Sequence, residues 1–165
     1  MADPLLFESR SPGETRRLGQ RLGRLLLPGD IVLLSGQLGA GKTVFVQGIA
    51  RGLGVTDPVT SKSFVLLGEY RGRLPKRDAE VTLYHADLFR LEAPEEAEEL
   101  AFAEYSAEGV LAVEWPERAP AAFPYDHLLV RLDIRREKTR AITIRGEGPR
   151  ASELLATLVR GRRSS

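Results

Sequence analysis

Apolar residues recur along this chain at two periods. Leu18, Leu22, Leu25 and Leu26 fall on one face of a 3.6-residue repeat. That spacing predicts a helix over 14–27, ended by Pro28-Gly29. DIVLLSG (30–36) is a near-continuous apolar run, as expected of a strand buried on both faces of a parallel sheet. A helix over 42–53 follows and stops at Gly54. LLFES (5–9), SFVLLGEY (63–70), VTLYHADL (81–88) and VLAVEW (110–115) predict further strands. RGRLPKRDAE (71–80) reads as a polar turn, and 95–109 as an acidic amphipathic helix stopped by Gly109. ERAPAAFP (117–124) is a proline-rich loop, after which HLLVRLDI (127–134) and RAITIRGE (140–147) can pair as late strands. A last helix is predicted over 151–160, with 155–165 expected to fray. Strands alternating with helices predict one three-layer α/β domain over 1–165, with a mostly parallel central sheet and late antiparallel strands.

The join between the 30–36 strand and the next helix carries chemistry. Gly36-Gln37-Leu38-Gly39-Ala40-Gly41-Lys42-Thr43 fits G-x-x-x-x-G-K-[ST] at every fixed position. Glycines let the backbone curl so that successive N–H groups face phosphate oxygens. The helix opening near Lys42 adds its positive end. Lys42 is expected to reach the β- and γ-phosphates, and the Thr43 hydroxyl to ligate Mg²⁺. The domain is therefore expected to be P-loop NTPase-like.

A second metal partner is expected at the end of a neighbouring strand. Glu114 and Asp87 each end one, and ligands of open parallel sheets sit at that edge. One carboxylate would help hold Mg²⁺ and the other would position or deprotonate the attacking water. Spacing alone leaves open which does which. His85, two residues before Asp87 on the same strand face, is a candidate for a phosphate contact, a hydrogen bond to Asp87, or a structural role.

Composition narrows the setting. The net charge of +1 carries no global polyanion signal, so any nucleic-acid contact must be a local patch. The absence of cysteine excludes disulfides and thiolate–metal sites and fits a reducing cytoplasm. Residues 1–25 carry acids and arginines without a long apolar core, and no run reaches the ~20 apolar residues of a membrane span, so a soluble cytoplasmic protein is expected.

Four stretches then occur in order: GQLGAGKT, TSKSF (60–64), HADLFRL (85–91) and VEWPER (113–118). Together they resemble the TsaE (YjeE) family of small bacterial P-loop ATPases, over roughly residues 10–146. The resemblance implies ATP and Mg²⁺ as cofactors and hydrolysis to ADP and phosphate. It implies a role in forming N6-threonylcarbamoyladenosine at position 37 of tRNAs that read codons starting with A. The partner would be the TsaB–TsaD heterodimer, with tRNA met only indirectly or within the complex. By motif match, Gly39, Ala40, Gly41, Lys42 and Thr43 hold the phosphates, with Gln37 and Leu38 in the same loop. Thr43 and Glu114 become the Mg²⁺ ligands, Asp87 and Lys42 the catalytic groups, and Trp115 a neighbour of the nucleotide that senses its state. Thr15, in SPGETRRLG (11–19), is carried over as an adenine neighbour, and Arg140 as a family arginine on a late strand. Two departures stand out: Gln37 replaces an Asp, and Ser61-Lys62-Ser63-Phe64 replaces S-P-T-[FY]. Two other functions compete, a small-molecule kinase and a nucleotide-dependent binding module with little hydrolysis.

Overall fold

A computed structural model describes residues 3–60, 67–98 and 101–163. Seven strands form one sheet: β1 (Leu5–Ser9), β2 (Ile31–Gly36), β3 (Leu67–Arg73), β4 (Glu80–Asp87), β5 (Val110–Glu114), β6 (His127–Ile134) and β7 (Arg140–Glu147). Their order is β1-β7-β6-β2-β5-β4-β3. The central four, β6-β2-β5-β4, run parallel, and antiparallel strands complete both edges. The late pair was legible, since β6 and β7 lie side by side with Leu128 opposite Gly146.

Alternation within the buried strands separates two cores. Val32 and Leu34 of β2 pack with Leu18, Leu22, Phe45, Ile49 and Leu155 on one side of the sheet. Ile31 and Leu33 face the other side, with Tyr84, Ala97, Phe102 and Leu111. Each fully buried leucine or isoleucine contributes about 1.5–3 kcal/mol, so burial on both faces pins β2 at the centre. Helices α1 (Pro12–Gly23), α2 (Lys42–Gly52) and α5 (Pro149–Arg163) cover the first side. The short helices α3 (Glu95–Glu98) and α4 (Phe102–Glu108) cover the second.

Several boundaries differ from expectation. Helix α1 starts earlier, because the Ser11 side chain caps the Glu14 N–H at 3.1 Å and Pro12 suits the first turn. It ends at Gly23, short of Leu27, where the Asp30 carboxylate takes the Leu27 N–H and organises the turn into β2. The acidic helix is broken, with Ala101 in the left-handed region (φ 49°) before α4. The turn at 71–80 shrinks, because β3 continues to Arg73 and β4 begins at Glu80. Of the strand expected over 63–70, residues 67–70 belong to β3; 63–66 lie outside the described residues. The tail expected to fray from 155 is instead helical to Arg163, held by buried Leu155 and Leu158. Among the described residues no helix is long and apolar enough to cross a membrane.

Candidate nucleotide site

Strand β2 ends at Gly36 and α2 begins at Lys42, so the glycine-rich loop sits at the carboxyl edge of the parallel strands. The backbone does what the glycines allow: φ is +81° at Gly39 and +103° at Gly41, which caps α2. The Ala40 N–H returns to the Gln37 carbonyl at 3.0 Å, closing a turn whose tip, Leu38, is exposed.

Lys42 is buried within this loop. Its ammonium donates to the carbonyls of Gly36 and Gln37 and lies 4.1 Å from the Trp115 ring centroid. Burial pushes its pKa below the ordinary lysine value, against the opposing pull of Glu114, Glu117 and Asp87. Trp115 pays for its position with a left-handed backbone (φ 60°, ψ 49°), uncommon for a bulky residue. Its N–H donates to the Leu34 carbonyl at 3.2 Å, and its ring packs on Phe89 at 5.0 Å.

The register of two parallel strands brings the acids together. Asp87 of β4 stands opposite Glu114 of β5, on the side of the sheet that carries α2. Glu114 is 3% exposed. Its carboxylate accepts the Thr43 hydroxyl at 3.0 Å and His85 Nε2–H at 2.7 Å. Of the alternatives open for His85, then, its nearest partner is Glu114 rather than Asp87. Asp87 is half-buried and accepts the Phe89 N–H at 3.0 Å, which shapes the turn after β4. Two oxygen donors, Thr43 and Glu114, thus meet beside the loop, a donor set suited to a hard divalent cation. Among the described residues no cluster of three or more His, Cys, Asp or Glu could hold a metal. A cation here would draw its remaining ligands from phosphate and water, as Mg²⁺ commonly does.

Beyond the loop lies an open pocket lined by Ser11, Pro12, Thr15, Val44, Glu137, Lys138 and Arg140 together with residues 39–41. It brings Thr15 and Arg140 together from distant parts of the sequence. Thr15 is buried and shares a 2.7 Å hydrogen bond with Ser9. Arg140 is a clamp. It donates to the carbonyls of Ala40 (3.1 Å) and Gly39 (3.3 Å) and to those of Arg136, Glu137 and Thr139 in the β6–β7 turn. Pro12, Val44 and Lys138 were not anticipated. Val44 was within reach of the motif, one residue past Thr43, whereas Lys138 needed the β6–β7 turn to fold over the loop.

A family model described as "Threonylcarbamoyl adenosine biosynthesis protein TsaE" matches residues 9–142. The chain belongs to the TsaE family. A TsaE protein of Treponema pallidum, named for tRNA threonylcarbamoyladenosine biosynthesis, is 40% identical over 137 residues, covering 82% of this chain and 96% of its own. The similarly named TsaE protein of Bacillus subtilis is 34% identical over 157 residues, 94% of either chain. The crystal structure of Bacillus subtilis YdiB superposes with a TM-score of 0.79 at 31% identity, covering 98% of both chains. Of the two departures from the TsaE pattern, Gln37 is an exposed loop residue whose backbone carbonyl receives Lys42, and residues 61–64 lie outside the described residues.

Proposed function

We propose that this chain is the ATP-hydrolysing component of tRNA threonylcarbamoyladenosine formation, acting in the cytoplasm with the TsaB–TsaD heterodimer. Membership of the TsaE family supports the pathway. The observation that carries the chemistry is the meeting of Thr43, Glu114 and Lys42 at one glycine-rich loop. Lys42 would bind the β- and γ-phosphates, and Thr43 and Glu114 would hold Mg²⁺. Bound Mg²⁺ neutralises developing phosphate charge. Asp87, beside Glu114 and partly open to solvent, orients the attacking water. His85 keeps the Glu114 carboxylate turned toward Thr43. The pocket of Pro12, Thr15 and Val44 would take the adenine, while Arg140 fixes the loop through the Ala40 carbonyl.

Steady-state ATP turnover, with nucleotide affinity measured in parallel, tests the reading. Asp87→Asn is expected to keep ATP affinity within about twofold and to lower turnover by roughly 10²-fold, the usual worth of a positioned base. Glu114→Gln is expected to weaken nucleotide binding only when Mg²⁺ is present. TsaB–TsaD should accelerate the wild-type chain. Unchanged turnover in Asp87→Asn would remove that residue from the mechanism, and equal rates with and without the heterodimer would remove the coupling.

A further inference from the structure

The net charge of +1 hides a sorting of charge across the sheet. From residue 12 to 52, the stretch containing α1 and α2, the chain carries six basic and two acidic residues. Both acids are spent locally: Glu14 accepts the Arg10 N–H, and Asp30 is bound by Arg150. From residue 92 to 108, the stretch containing α3 and α4, it carries seven glutamates and no lysine or arginine. Helices α1 and α2 cover one side of the sheet, and α3 and α4 the other.

On the basic side the arginines are aligned. Arg17, Arg21 and Arg24 follow i, i+4, i+7 spacing on α1 and its C-cap, on the face away from Gly19 and Gly23. Arg24 abuts α2 where Gly52 packs, and exposed Arg51 is the residue before that glycine. Arg21 reaches the Leu158 carbonyl of α5 at 3.4 Å, near exposed Arg160. Arg10, Arg73, Arg131 and Arg150 each sit beside a carboxylate. Arg17, Arg21, Arg24 and Arg51 have no such partner among the described residues. A row of guanidinium groups on successive helical turns, without acid between them, is suited to a ladder of phosphates, which arginine grips bidentately. A membrane surface would also call for apolar groups to insert. Among the described residues the exposed large apolar side chains are Leu6, Leu38, Phe89, Tyr125 and Ile134, none of them on α1, α2 or α5.

We propose that the α1–α2 face, through Arg17, Arg21, Arg24 and Arg51, binds the phosphate backbone of RNA, while the acidic α3–α4 side faces away from it. The choice of RNA rests on the functional reading above; the electrostatics do not.

Fluorescence anisotropy of a labelled tRNA transcript with the full chain tests this, at 50 to 200 mM salt and without nucleotide. Wild type should bind with an affinity that falls steeply with salt. The triple charge reversal Arg17→Glu, Arg24→Glu and Arg51→Glu should weaken binding at least tenfold and flatten the salt slope. All three side chains are exposed, and an unchanged thermal melt establishes that the variant folds. Reversal on the other side, Glu95→Lys with Glu98→Lys, should leave binding equal or tighter. Equal affinity of the triple variant and wild type, no measurable wild-type binding, or binding to phosphatidylserine vesicles but not to tRNA would each overturn the proposal. ATP turnover of the triple variant, measured alone and with TsaB–TsaD, reports separately on the functional reading. Loss of RNA binding with turnover intact supports the RNA face, whereas an inactive wild type that still binds tRNA through these arginines defeats only the ATPase reading.

Discussion

Burying Lys42 carries a cost. Its ammonium is buried among loop carbonyls and against Trp115, and burial lowers its pKa. The unfolded chain therefore holds this proton at pH values where the folded chain has released it. Stability must rise with pH between the lowered pKa and lysine's ordinary 10.5, and be flat in this respect below that window. The expected outcome is that the stability of wild type relative to Lys42→Met increases as pH approaches 10.5, in urea melts without nucleotide. A difference that does not vary with pH would refute the assignment. At this scale the sequence was a good guide to residue type and a poor one to partners. Motif spacing set Lys42 and Thr43 side by side at the loop and strand ends offered two carboxylates, Glu114 and Asp87, without choosing between them; the fold puts Glu114 on Thr43. The pairing of His85 with Glu114 was not legible, since it depends on the register of β4 against β5, and no local pattern encodes that.

Helices α1 and α2 meet through glycines at i, i+4 on each, Gly19 and Gly23 against Gly48 and Gly52. A β-carbon on Gly48 would lie 2.1 Å from the Arg16 carbonyl oxygen, and one on Gly19 2.3 Å from that of Phe45. The backbones touch, so neither helix can shift without the other. Gly48→Ala is expected to cost about 2 kcal/mol in denaturant unfolding, the scale of overpacking in a close-packed core. Because α2 opens with Lys42 and Thr43, the same change should weaken ATP binding; stability and affinity both within error of wild type would refute it. Only packing gives these spaced glycines their meaning. The break in the acidic helix was hidden for the converse reason. Residues 95–109 have the right composition for one helix, yet Ala101 stands in the left-handed region, and Ala97 before it and Phe102 after it both enter the core beside β5.

Asp30 ties the whole molecule together from the edge opposite the nucleotide loop. It is 4% exposed, accepts the Leu27 N–H, and is gripped by Arg150 Nε and Nη2 at 3.0 Å each. The turn after α1, the start of β2 and the first turn of α5 are thereby joined. Asp30→Ala, which leaves Arg150 without its carboxylate, is expected to cost about 3 kcal/mol, read from the denaturation midpoint at unchanged m-value. The three-layer arrangement and the parallel centre were legible from alternation and apolar runs, because burial on both faces leaves that mark. The strand order was not, because it is fixed by contacts between distant segments. That order has a bearing on synthesis. The strand that carries the glycine-rich loop is flanked by β5 and β6, and β1 pairs with β7. Contacts so distant in sequence form late, after long loops have closed. A nascent chain halted before β6 has its phosphate-binding sequence complete and its phosphate-binding structure still unmade.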